Sequence, residues 1–301
     1  MKTYSKAKKG SATLLVLLLS VVIITLGIGF DWIVKEHMKA TYDLELKTQG
    51  MLRAYSIMDK LLYMISVSNL TPKALNSDVV LKPFKSSLLP LDGTYIKFKD
   101  IEVSIQDANG LINISQPNLE ALKNLLAQNT NANPDTVIKA WLDWINPNYH
   151  DEDIPSDFYD KYQPRKYLPQ YKEEFSLVYG MTRKDYELIK DYITLMPNSG
   201  FNPNTAPVPV LMARLNITKA QANLIKEYLK SHTITNDEEL SALVNRKLSV
   251  PNFRIYYYPS DAMRIIVLAL YRGKPIYKIH ADVLKKPNLS FPFTILYWKE
   301  Y

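Results

Sequence analysis

Lys8-Lys9-Gly10-Ser11-Ala12-Thr13-Leu14-Leu15-Val16-Leu17-Leu18-Leu19-Ser20-Val21-Val22-Ile23-Ile24-Thr25-Leu26-Gly27-Ile28-Gly29-Phe30 is the stretch whose reading decides the fold. No charged residue lies between Lys9 and Asp31. At ~1.5 Å of rise per residue, the uncharged run spans ~30 Å as a helix, the hydrocarbon thickness of a bilayer. Lys2, Lys6, Lys8 and Lys9 precede it with no acid among them, which keeps a short leader cytoplasmic and sends the rest across. A cleaved secretory signal would close on a small-residue site beyond its apolar run. Here the run passes straight into Phe30-Asp31-Trp32-Ile33-Val34, and the helix reads on. The small pair Gly10-Ser11 sits upstream instead, where basic leader meets apolar helix.

That arrangement resembles a type IV prepilin leader. The resemblance implies that residues 1–10 are removed by a prepilin peptidase cutting after Gly10. It also implies that the new amine, on Ser11, is methylated, and that the helix is kept as both anchor and assembly element.

Composition sets the bounds. A chain of 301 residues, 47% of them hydrophobic, has room for one large or two modest domains and a proper core outside the membrane. The formal charge of +7 falls to +3 without the leader's four lysines, so no strongly basic domain remains to grip nucleic acid. Cysteine is absent, so an exported chain gains no disulfide and is held by packing or by a metal. Twenty-one tyrosines and 18 prolines fit an ordered, loop-rich protein.

The helical pattern runs on from Asp31 to about Ser68 but turns amphipathic. Leu44, Thr48, Met51, Tyr55, Met58, Leu62 and Ile65 step by three and four, while Lys47, Arg53, Asp59 and Lys60 lie off that stripe. One long helix over 11–68 is expected, with 11–30 in the membrane. Thr71-Pro72 ends it, and Lys82-Pro83, Leu89-Pro90 and Asp92-Gly93 mark turns. Strands follow at 94–99 and 101–105, then a turn at Gln106–Gly110 and a hairpin-like return over 111–114.

Helices come next. Ser115 can cap one over Leu119, Leu122, Leu125 and Leu126, and Asn133-Pro134 caps another through Val137, Trp141 and Ile145. Further helices are expected at 172–179, 182–195, 206–215, 218–230 and 237–244. Strands return at 253–258, 262–271, 276–284 and 292–298. The order long helix, strands, helices, strands predicts an α+β fold. Its sheet domain is made of 69–114 and 249–301, with an all-helical domain, 115–248, inserted between them.

Four blocks in the helical part carry a further resemblance: Trp141-Leu-Asp-Trp-Ile-Asn-Pro-Asn148, Phe175-Ser-Leu-Val-Tyr-Gly-Met181, Asp191-Tyr-Ile-Thr-Leu-Met-Pro197 and Phe201-Asn-Pro-Asn-Thr-Ala-Pro207. With the leader, they make the chain similar to the general secretion pathway K family, the large minor pseudopilin of type II secretion. The resemblance implies a type IV pilin-like fold with an inserted helical domain, and no enzymatic activity. It implies a place at the pseudopilus tip, in the bacterial inner membrane with the bulk of the chain periplasmic. Partners would be minor pseudopilins of the I and J types, the major pseudopilin and the inner-membrane secretion platform.

Major pseudopilins carry glutamate at the fifth mature position, whereas this chain has Leu15. A buried carboxylate in a bilayer costs several kcal/mol unless paired. A subunit with nothing above it has no amine to pair with, so an apolar residue fits. Two other readings stand beside this one, a minor pilin of a type IV pilus and a helix-hairpin-helix DNA-uptake protein. The second rests on the Asn-Pro-Asn-Thr-Ala block, but its turn here, Leu215-Asn216-Ile217-Thr218, lacks the glycines that present free amides to phosphate. Asn202, Asn204 and Thr205 read as caps at a helix start.

Asp151, Glu152, Asp153, Asp157 and Asp160 crowd a loop that starts at Asn146 and Asn148. Such oxygen density suits a hard cation such as calcium, with Asp151, Asp153 and Asp157 as candidate ligands. The K family also carries calcium in its helical domain, though Asn146 and Asn148 stand where it usually has aspartate. The other account is a solvated acidic loop. His37, His150, His232 and His280 are scattered, and no nucleophile, zinc or phosphate-loop signature occurs.

Overall fold

A computed structural model describes residues 9–76, 84, 88–116, 118–161, 163–246, 254–286 and 291–301. The expected leader, apart from its last two residues, and positions 249–253 of the second sheet segment lie outside them. Two compact units divide the chain, Met1–Leu52 and Arg53–Tyr301.

Helix α1 runs from Lys9 to Val67. Within the first unit, apolar side chains from Leu14 to Ile33 are exposed. Hydroxyls in that run turn back on the helix: Ser20 donates to the Val16 carbonyl at 2.8 Å and Thr25 to that of Val21 at 2.7 Å. A polar group in lipid needs such a partner, since no water is there to supply one. Among the described residues this is the one helix long and apolar enough to cross a membrane.

In the second unit the helix buries Ala54, Ile57, Met58, Leu61, Leu62, Met64 and Ile65. The buried face therefore starts later than the expected stripe, for Leu44 is exposed. A small antiparallel sheet follows, β1 (Asn69–Leu70), β2 (Ala74–Asn76) and β3 (Leu88–Pro90). Next come β4 (Ile96–Phe98), β5 (Ile101–Asp107), a 3-10 turn at Ala108–Gly110 and β6 (Ile112–Asn113).

The helical portion holds α2 (Leu119–Asn129), α3 (Pro134–Ile145), α4 (Ser156–Lys161), a 3-10 segment Lys172–Leu177 and α5 (Arg183–Ile189). After the short strand β7 (Ile193–Thr194) it continues with α6 (Val208–Leu215), α7 (Lys219–Leu229) and α8 (Asp237–Val244). Strands β8 (Ala262–Tyr271), β9 (Lys274–Lys285) and β10 (Phe293–Glu300) complete the chain.

The main sheet has the order β10-β9-β8-β5-β4, antiparallel throughout. Its centre is the pairing of β5 with β8, Val103 opposite Val267 and Ile105 opposite Ile265, so segments on either side of the helices share one sheet. Helix α1 meets this sheet through Arg53–Asp100 at 3.5 Å and Tyr55 against Trp298, ring centroids 5.9 Å apart. The fold is the expected α+β class.

Local differences have physical reasons. The helix expected to reach 195 stops at Ile189, because Ile193 and Thr194 pair in parallel with Ile112 and Asn113. That pairing also replaces the expected hairpin return over 111–114. Residues 254–258 form no strand, only a bridge between Ile255 and Phe201. The cap of α2 is Asn118, whose side chain accepts from the Ala121 amide, not Ser115. Asn133 and Pro134 start α3 as expected.

One hydrophobic core runs through the helical portion, from Ile112 and Ile193 through Leu122, Trp141, Phe175, Phe201 and Leu211 to Ile225 and Leu240. Trp141 stands edge-on to Phe175 at 4.9 Å and donates its indole N–H to the Ile114 carbonyl at 2.8 Å. An aromatic with a polar edge needs that acceptor when fully buried.

Candidate functional site

Three places carry the residues that the sequence singles out. At the head of the chain, Gly10 and Ser11 both lie within the backbone of α1. Leu15 follows one turn on, exposed like the rest of the apolar run.

The second place is the Phe201–Pro207 block. Asn202, Asn204 and Thr205 do not cap α6: its first flanking residue is Pro207, with no side-chain cap bond. They are instead buried in a polar knot around Asp107, at the end of β5. Asp107 Oδ1 accepts from the amides of Asn109 (3.0 Å) and Ser260 (2.8 Å) and from the Ser260 hydroxyl (2.9 Å). Its Oδ2 accepts from Thr205 Oγ1 at 2.7 Å and Asn202 Nδ2 at 3.4 Å. Burial pushes the Asp107 carboxyl up to about 6, outweighing these five donors. Asn202 also donates to the Pro72 carbonyl at 2.8 Å, just past α1. Asn204 brackets Ile234, donating to its carbonyl and accepting from its amide, both at 2.9 Å. Gly110 is required beside the knot, since a Cβ there would fall 2.7 Å from the Thr205 carbonyl oxygen.

Other bonds tie the helical portion to the strands. Lys73 Nζ donates to the carbonyls of Leu229 and His232, each at 2.9 Å, at the end of α7. Lys226 pairs with Asp92 at 3.1 Å, and Arg264 on β8 donates to the carbonyls of Asp191 and Ile193 at 3.3 and 2.9 Å. Lys172 donates to the Lys190 carbonyl, and burial beside Arg264 drives its amine down to about 7.

The turn between α6 and α7 offers phosphate no free amide. Asn216, at φ +49°, and Ile217 both donate to the Met212 carbonyl, while the Thr218 amide goes to Gln221 Oε1 at 3.0 Å.

The third place is the acidic loop. Of the candidate ligands, Asp151 is buried and its Oδ1 accepts from the Asp153 amide at 3.2 Å. Asp153 is held by Lys139 at 2.6 Å, which keeps its carboxyl below the usual range. Asp157 is exposed in the first turn of α4. Among the described residues, no three His, Asp or Glu side chains gather as a metal would need. The structure centres the loop on two residues that the sequence reading passed over, Asp143 and Lys166. The Lys166 ammonium lies 2.7 Å from Asp143 Oδ1 and 2.7 Å from the Tyr149 carbonyl oxygen. Nearby, Glu174 Oε2 accepts from Trp144 Nε1 at 3.1 Å and Arg165 Nε at 3.0 Å. Burial opposes the Glu174 charge, but these donors and the amides of Gln170 and Tyr171 hold its carboxyl below the ordinary value. As arranged, Asp143 and the Tyr149 carbonyl serve Lys166, and Asp153 serves Lys139.

Fold and contacts together define a pilin-like α+β protein, a long N-terminal helix on an antiparallel sheet with a helical portion between the sheet's two segments. No family model matches the chain, and no curated protein matches it. Among solved structures it is similar to a chain in the crystal structure of the GspK-GspI-GspJ complex from the type 2 secretion system of enterotoxigenic Escherichia coli. The TM-score is 0.52 at 14% identity, over 84% of this chain and 96% of that one. At that identity the likeness is one of fold, and it is the fold that the K-family resemblance implies.

Proposed function

We propose that the chain is a minor pseudopilin of the K type, seated at the tip of a type II secretion pseudopilus. Its role there is structural: it helps to start the fibre and supports export of folded proteins. The observation that carries this reading is the pairing of β5 with β8 across the helical portion, in a fold similar to that of a chain from a GspK-GspI-GspJ complex. In this reading 1–10 is the leader, 11–68 the anchoring and assembly helix, 69–114 with 249–301 the pilin-like domain, and 115–248 an insertion.

Size supports the tip. An insertion of roughly 130 residues is as large as a typical domain, and closely stacked pilin heads leave no room for it below another subunit. Leu15 agrees, since it offers no carboxylate to a subunit above. Partners are then minor pseudopilins of the I and J types below, followed by the major pseudopilin. The inner-membrane platform and prepilin peptidase act earlier, while the helix is in the membrane and the remainder is periplasmic.

The chain has no cysteine, so a single cysteine at Leu15 or Ala12 reports without background. Paired with single cysteines placed in the N-terminal helices of the partner subunits, disulfide crosslinking in assembled fibres should trap I- or J-type partners from one side only, with this chain far rarer than the major subunit. Recovery along the shaft at the major subunit's abundance would sink the proposal.

A further inference from the structure

Between Asn146 and Lys166 the chain makes a long excursion that holds a crowd of acids and, among the described residues, one short helix, α4. What closes it is a lysine. The Lys166 amide donates to the Trp144 carbonyl at 2.7 Å, at the point where the excursion leaves α3. Lys166 also adopts φ +57°, a left-handed backbone that a side chain other than glycine rarely takes without compensation. The compensation is at the other end of the residue. Its ammonium is held by one oxygen of Asp143, whose side chain is 1% exposed, and by the Tyr149 main-chain carbonyl.

A buried carboxylate oxygen and a main-chain carbonyl are the donors that calcium takes, at 2.3–2.6 Å. With nitrogen already 2.7 Å from both, a metal ion bound to the same two oxygens would overlap the ammonium and be repelled by it. The same oxygen of Asp143 has further neighbours. It accepts from the Asp151 amide at 3.2 Å and lies 3.4 Å from His150 Nδ1. Asp151 is turned onto the Asp153 amide, and the Asp153 charge is answered by Lys139. We propose that Lys166 is a tethered cation, covalently part of the chain, that closes the 146–166 loop in the seat a metal ion would otherwise take.

The test uses the full-length protein in detergent micelles, followed by tryptophan fluorescence on heating and by hydrogen exchange of the loop amides. The wild-type chain should melt at the same temperature in millimolar calcium and in chelator, with loop exchange unchanged between the two. Lys166→Met should melt about 5–10 °C lower in chelator, because it removes the ammonium that answers the buried Asp143 carboxylate. If that variant fails to fold, the wild-type comparison alone decides. A wild-type melting temperature that rises with calcium, or a Lys166→Met chain that melts with wild type, would overturn the proposal.

Discussion

The Thr205 hydroxyl donates a hydrogen bond to Oδ2 of Asp107 at 2.7 Å, joining residues 98 positions apart. The bond links the loop before α6 to the end of β5, and all five groups around Asp107 are donors. Asp107→Asn would turn an amide NH2 toward at least one of them. The expected loss is about 3 kcal/mol in denaturant unfolding, against about 1 kcal/mol for Thr205→Val, which removes one donor only. Equal losses in the two variants would show that the knot is not centred on the carboxylate.

The same carboxyl gives a pH signature. Its value in the fold, about 6, lies above the ordinary 3.8, so between those values the folded chain binds more protons than the unfolded one. This group's contribution to stability therefore falls as pH rises from about 4 to about 6. Asp107→Asn should flatten that part of the curve of unfolding free energy against pH.

Lys172 acts in the other window. Its amine titrates near 7 in the fold and near 10.5 when unfolded, so the unfolded chain binds more protons between those values. Stability should rise across that range, by at most about 1.4 kcal/mol per pH unit from this group. Below pH 7 both states are charged and the burial cost is felt in full. Lys172→Met should gain over wild type at neutral pH and lose that advantage towards pH 10. A wild-type minus variant difference that is flat with pH would mean that the amine is not desolvated.

Trp141→Phe keeps most of the apolar volume but orphans the Ile114 carbonyl, buried in the helical core. A loss of about 2 kcal/mol is expected, from the missing bond and the smaller ring. Trp144→Phe should cost less, because its buried acceptor, Glu174, keeps Arg165 and the amides of Gln170 and Tyr171 as donors. The two variants compared by urea unfolding make the check.

Processing depends on Gly10 if the leader is cut as proposed. Gly10→Leu should give a chain that still enters the membrane, retains Met1 and carries no methyl group on Ser11. Intact mass spectrometry reads all of this at once, and finding Met1 on the mature wild-type subunit would refute processing after Gly10.

How much of this was legible in the sequence depends on the range of the interactions. Helices with local signals were readable: Asn133-Pro134 before α3, and Thr218 with Gln221 as a reciprocal cap of α7. So were β8 and β9, long apolar-rich runs joined by Arg272-Gly273. What escaped was set by distant partners. Ile193-Thr194 reads as the end of a helix until β6 claims it, and Asn202 and Thr205 read as caps until Asp107 is seen facing them. Lys166 gave no signal, because neither a left-handed lysine nor a bond across 23 positions has a local pattern. The acidic loop drew attention by its charge, yet the carboxylate at its centre, Asp143, belongs to a helix.

Pro72 and Lys73 are adjacent, just beyond the last turn of α1. One accepts from Asn202, and the other holds the carbonyls that end α7. Those two residues form a mechanical coupling. Tension on α7 or on the Asn202 loop reaches the chain within six residues of Val67, so the helical portion and the end of the long helix pull on each other through a short tether.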